Sequence, residues 1–136
     1  MSRHFSNGHI MQPGIKRPVN LALHRMQFPP MAIVSILHRI SGVLIFLLLP
    51  FALYLLSNSL QSQFTFIELR HTFPSPLFSF LSWVLISSVG FHFFAGLRHM
   101  IMDCGFFESL KAARITAYII LFLGVVICVL SGVWVW

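Results

Sequence analysis

The run from Leu77 to Met102, LFSFLSWVLISSVGFHFFAGLRHMIM, is long enough to cross a lipid bilayer as a helix and carries a histidine, His92, deep inside it. A hydrocarbon layer of roughly 30 Å needs about 20 mainly apolar residues in a helix. An ionisable group at that depth costs roughly 2.5 kcal/mol or more if charged, so it calls for a partner or a task. His92, Gly96 and His99 recur at offsets of four and seven and so share one helical face. Two further stretches reach spanning length, about Met31 to Leu56 and Ile115 to Trp136.

Composition agrees with a membrane protein. The 136 residues are 57% hydrophobic and 9% charged, with a mean hydropathy of +0.87, and a soluble core of this size could not hide that apolar surface. The stretches lack the strict alternation of membrane strands, which excludes a β-barrel reading. The expected fold is all-α, with three transmembrane helices at about 31–56, 77–102 and 115–136 making a domain over 31–136. Residues 1–30 are polar and basic and are broken by Pro13, Gly14, Pro18, Pro29 and Pro30, so they read as an irregular arm rather than a signal peptide. Pro30 suits a helix start. The Ser57 to Pro76 connection reads as a short polar loop, and Asp103-Cys104-Gly105 as the turn ending the second helix, followed by a short amphipathic stretch to Arg114.

The net charge of +6 is not a nucleic-acid footprint. Four of the nine Lys and Arg residues, Arg3, Lys16, Arg17 and Arg25, precede the first helix, and Arg98, Lys111 and Arg114 flank the second connection, whereas the first connection holds only Arg70. The positive-inside rule places the N-terminus and the His99 to Arg114 loop on the cytoplasmic or matrix side, and the C-terminus opposite. Trp134 and Trp136 suit interfacial anchors there. Cys104 and Cys128 show no CxxC spacing and no expected disulfide.

Two polar stripes face the same half of the membrane. The first helix carries Ser35, His38, Arg39 and Gly42 within about 100 degrees of arc, and the second carries Ser88, His92, Gly96, His99 and Asp103. At ~1.5 Å per residue His92 lies deepest. Neutral imidazole is a common metal ligand, and in a membrane its metal is most often haem iron. The order of groups suits a haem held at His92 with propionates toward Arg39, His38 and His99, and Gly96 offers a flat surface for a macrocycle. A second axial ligand comes either from His38 or, by the better depth argument, from another polypeptide. Met26, Met31, Met100 and Met102 are ligands by atom type but lie near the interface. Gly124, Cys128 and Gly132, at spacings of four, form a small-residue face on the third helix. The plainer readings are that Arg39 snorkels to headgroups, His38 satisfies a carbonyl and Gly96 serves helix packing.

From Lys16 onward the chain resembles the cytochrome b membrane-anchor subunit of bacterial succinate dehydrogenase, succinate:quinone oxidoreductase. The resemblance rests on Arg17-Pro18-Val19-Asn20-Leu21, on Ser35-Ile36-Leu37-His38-Arg39-Ile40-Ser41-Gly42, and on His92-Phe93-Phe94-Ala95-Gly96-Leu97-Arg98-His99-Met100 followed by Asp103. It implies half of a heterodimeric haem-binding helix bundle in the bacterial inner membrane, N-terminus cytoplasmic and C-terminus periplasmic. The implied partners are a second small membrane-anchor subunit, an iron-sulfur subunit and a flavoprotein subunit that carries the succinate site. His92 matches the axial ligand of haem b, Ser35 and Arg39 match ubiquinone-binding positions, and His38 and Arg39 match groups near the propionates. His99 and Asp103 would line a proton route, with Asp103 alternatively pairing with Arg98 or Lys111. No catalytic residue for succinate is expected on this chain. Competing readings are a haem-free structural anchor, the equivalent anchor of a quinol:fumarate reductase, and a small channel subunit, the last disfavoured because the polar stripes stop halfway.

Overall fold

A computed structural model describes residues 29–107 and 109–136; the basic arm and its Arg17-Pro18-Val19-Asn20-Leu21 motif lie outside the described residues. Four helices follow in order: α1 (Pro30–Gln61), α2 (Gln63–Thr72), α3 (Pro76–Asp103) and α4 (Leu110–Val135). Pro30 and Pro76 occupy the first turns of α1 and α3, where the missing N–H costs nothing. Pro50 inside α1 removes the helical bond to the Phe46 carbonyl without ending the helix. Only α1, α3 and α4 among the described helices are long and apolar enough to span a membrane. At about 1.5 Å per residue α1 extends ~48 Å, well past the hydrocarbon layer.

The element bounds differ from the sequence expectation in two places. The Ser57–Pro76 connection is not a plain loop, because Ser62 and Thr65 form a reciprocal capping box that starts α2, with the Thr65 N–H donating to Ser62 Oγ (3.1 Å) and the Ser62 N–H to Thr65 Oγ1 (3.1 Å). The Thr65 hydroxyl also donates to the Asn58 carbonyl at 2.9 Å, folding α2 against the end of α1. The stretch before Arg114 is the first turn of α4 itself, capped where the Ala112 N–H donates to Ser109 Oγ (3.3 Å). The turn after α3 stands as expected, with Gly105 at φ 86, a left-handed conformation that glycine adopts without strain.

Helix α3 packs extensively on both α1 and α4, and a sparser α1–α4 contact closes a three-helix bundle. The bundle interior is small and polar: Val34, Ala95, Ala113 and Ala117 are its buried apolar residues, alongside buried Ser41, Ser79, Ser82, Ser88, Arg98 and Ser131. The large apolar side chains, including Phe46, Leu60, Phe122 and Val133, point outward. Such an inverted distribution suits lipid, where close approach and hydrogen bonding, rather than hydrophobic expulsion, join helices.

The small-residue face of α4 receives aromatic side chains from α3. Gly124 lies under the Phe91 ring, so close that an added Cβ would stand 2.6 Å from Cδ2. The Trp83 Nε1–H donates to the Cys128 carbonyl at 2.9 Å, and Trp83 also lies over Gly132. Ser87 and Ser131 hydroxyls bond at 2.8 Å between the same helices. Cys104 is exposed and Cys128 half-buried, both as free thiols.

Gly124→Ala should therefore destabilise the bundle by roughly 1–3 kcal/mol, the usual range for overpacking, and Phe91→Leu in the same chain should recover part of the loss. Thermal unfolding of the detergent-solubilised protein checks both.

Candidate functional site

Helices α1 and α3 cross where each carries a glycine opposite a histidine of the other. The His92 imidazole lies over Gly42, where an added Cβ would stand 3.1 Å from Cε1, and the His38 imidazole lies over Gly96, where an added Cβ would stand 3.2 Å from Nε2. The two rings stack with centroids 4.1 Å apart and 21° between planes. His99 stands beside His38 at 5.3 Å, tilted by 52°. Each histidine is half-buried.

The hydrogen bonds at His92 fix its tautomer. Nδ1 lies 3.1 Å from the His38 carbonyl oxygen, which only accepts, so Nδ1 carries the hydrogen and donates. The Ser41 hydroxyl donates its single hydrogen to the same carbonyl at 2.8 Å and accepts from His92 Nδ1–H at 3.1 Å. The lone pair therefore resides on Nε2. A ring nitrogen anchored through Nδ1–H to a backbone carbonyl is the usual support for an imidazole that binds metal through Nε2.

Histidine 38 presents a different chemistry. Its Nε2 is buried with no hydrogen-bond partner among the described residues, a costly state for a polar atom unless something else satisfies it. Its stacking on His92 leaves no room between the rings for a flat group, so the two cannot act as opposite axial ligands of one iron in this arrangement. The depth difference expected between them is also absent. His38 lies about 12 Å from the start of α1 and His92 about 16 Å from the end of α3, yet the rings are level, because the helix ends are not flush and α3 projects beyond α1.

The polar stripe on α1 divides. His38 and Gly42 face α3, whereas Arg39, a further 100 degrees around the helix, is exposed on the flank of the bundle, and Ser35 is half-buried between them in angle. Gly96 is filled by His38 rather than left open for a macrocycle. Asp103 is exposed at the last residue of α3. Arg98 is buried, with Nε donating to Thr116 Oγ1 and an Nη to the Ala113 carbonyl, both at 3.1 Å, so it ties α3 to α4 rather than pairing with Asp103.

Two residues escaped the sequence reading as contributors here: Ser41, three after His38, and Arg98, taken as a flanking charge. The Ser41 spacing carries a weak signal, since serine in a helix commonly bonds back to the carbonyl three or four residues earlier. Beside the histidines, Ser41 lines an open groove of about 360 Å³ between α1, α3 and α4, whose walls include Leu37, Leu44, Phe91 and Leu121.

Comparison with known proteins bears on these residues together. Residues 14–131 match the model of the succinate dehydrogenase/fumarate reductase transmembrane subunit. The chain is 44% identical over 122 residues to the succinate dehydrogenase cytochrome b556 subunit of Coxiella burnetii, covering 89% of this chain and 98% of the relative. It is 31% identical over 119 residues to the succinate dehydrogenase cytochrome b560 subunit of Reclinomonas americana, covering 82% and 81%.

The tautomer is directly checkable. Nitrogen-15 NMR of imidazole-labelled protein should show His92 protonated at Nδ1 and not at Nε2, and Gly42→Ala, whose methyl crowds Cε1, should shift those resonances. An Nε2–H signal for His92 would contradict the hydrogen-bond assignment.

Proposed function

The chain belongs to the succinate dehydrogenase/fumarate reductase transmembrane subunit family, and from that premise we propose that it binds haem b through His92 and forms part of the site where ubiquinone is reduced. It is the cytochrome b membrane anchor of a succinate dehydrogenase, a respiratory electron-transport complex. The observation that carries the haem assignment is the Nδ1–H anchoring of His92, which presents Nε2 as a ligand. The cytochrome b names of the relatives support it.

The residues present fit the group. His92 would hold the iron together with a residue of a second small anchor subunit, since His38 is stacked against His92. His38, with its unsatisfied buried Nε2, and Arg39, exposed within an apolar surface, would face the propionates, with His99 beside His38. Haem b, when bound, supplies a one-electron redox centre in the membrane domain.

For the quinone, this chain offers one hydroxyl and one guanidinium. Ser35 would donate a hydrogen bond to a quinone carbonyl oxygen, and Arg39, one turn deeper, would stabilise the negative charge that arrives with the electrons. Quinol formation also takes up two protons, and His99 and Asp103, the latter exposed at the end of α3, would line their route. Iron-sulfur and flavoprotein subunits would carry succinate oxidation and the upstream electron path, in a complex in the bacterial inner membrane with the N-terminus cytoplasmic and the C-terminus periplasmic.

The deciding experiment is His92→Leu in assembled complex, which should abolish or strongly alter the reduced haem b absorption band, while His71→Leu on α2 should leave it unchanged. An unaltered band in His92→Leu removes the ligand assignment.

Quinone binding is tested separately. Ser35→Ala should weaken quinone reduction several-fold, about 1 kcal/mol for one hydrogen bond to a neutral carbonyl, with the haem spectrum nearly intact. Arg39→Lys should assemble normally and lose much of its quinone reductase activity, because an ammonium cannot reproduce the planar guanidinium, while succinate oxidation with a soluble artificial acceptor survives. Equal retention of both activities in Arg39→Lys would reduce this residue to a snorkelling cation.

A further inference from the structure

We propose that Ser41 is a positioning residue for the redox centre: its hydroxyl accepts the His92 Nδ1–H hydrogen bond and thereby sets both the ring orientation and the electron-donating strength of the imidazole toward iron. This rests on the reading of His92 as the haem ligand. Three observations converge on it. Ser41 is 5% exposed. Its only hydrogen is committed to the His38 carbonyl at 2.8 Å, so it meets His92 Nδ1 at 3.1 Å as an acceptor. Two other serines, Ser87 and Ser88, line the same groove, but Ser87 is bonded to Ser131 at 2.8 Å and the Ser41 hydroxyl bonds only the His38 carbonyl and His92 Nδ1 among the described residues.

A local role alone does not account for this arrangement. Ser59 also donates to the carbonyl three residues earlier, that of Leu56 at 2.8 Å. Such a bond satisfies the hydroxyl but does nothing for a neighbouring helix. Ser41 differs because the same oxygen reaches across to α3 and meets an imidazole. Together with the His38 carbonyl, it gives Nδ1–H two acceptors on one side, which holds the ring against rotation. Hydrogen bonding at Nδ1–H raises the basicity of the ligating nitrogen and stabilises the oxidised iron. In a low-dielectric setting such a bond is stronger than in water.

The test uses the assembled, haem-loaded complex and reads the haem b midpoint potential and the electron paramagnetic resonance spectrum of the oxidised haem. Ser41→Ala should keep haem content, move the midpoint to a more positive value and shift the resonance positions, and Ser41→Thr, which keeps the hydroxyl, should restore both toward the parent. Ser82→Ala, removing a buried hydroxyl that has no partner among the described residues, should change neither. Full haem content with parental midpoint and resonances in Ser41→Ala overturns the proposal and leaves the His92 assignment standing, whereas a parental haem spectrum in His92→Leu removes the assignment itself. Haem loss in Ser41→Ala supports the proposal when Ser41→Thr retains haem, and haem loss in both variants overturns it as a packing effect.

Discussion

The reciprocal seating of two imidazoles on two glycines governs this bundle. His92 lies over Gly42 and His38 over Gly96, so α1 and α3 can approach only at the register where each ring meets the missing side chain of the other helix. A shift of one residue along either axis would set a ring against a side chain instead of a glycine. The stacked rings and the bonds from His92 and Ser41 to the His38 carbonyl then fix the crossing in direction as well as in depth. Apolar contact could not specify this, because lipid is as good a neighbour for leucine as another leucine is.

The rest of the fold supports that crossing from the other side. Helix α4 offers Gly124 to Phe91, one residue before His92, and the Cys128 carbonyl to Trp83, so the face of α3 opposite α1 is held by aromatic insertion. Nearer the loop, Arg98 clasps the Ala113 carbonyl and the Thr116 hydroxyl. A buried guanidinium is tolerable when its donors are met by carbonyl and hydroxyl oxygens. Its position one residue before His99 links the start of α4 to the histidine cluster. The site is thus built on three helices, although its chemistry sits on two.

The separation of His38 from Arg39 gives the site two sides. One turns inward to α3, where His38 stacks on His92 with its Nε2 unpartnered among the described residues; the other faces out through an apolar surface and is completed by what binds there. A charged group exposed at membrane depth is expensive unless paired. That cost is why, in the proposed function, Arg39 on the exposed flank of α1 meets the quinone and a propionate.

The sequence by itself determined the class, the three spans and the residues that carry polarity: hydropathy and length are properties of single segments, and a period of 3.6 assigns His92, Gly96 and His99 to one face of α3 without reference to neighbours. The membrane-anchor family was likewise legible from the two short motifs around His38 and His92. The capping box that begins α2 was also written in Ser62 and Thr65, but it lies in a polar stretch where hydropathy has nothing to report. Only the tertiary structure decided that His38 and His92 lie level, that Arg39 turns away, that Gly96 is filled by a ring, that Arg98 is interior and that Ser41 reaches His92. The physical reason is common to all five. Helical periodicity gives the angle of a side chain about its own axis, whereas the axial offset between helices and the identity of the neighbour at that angle are set by packing between segments far apart in the chain.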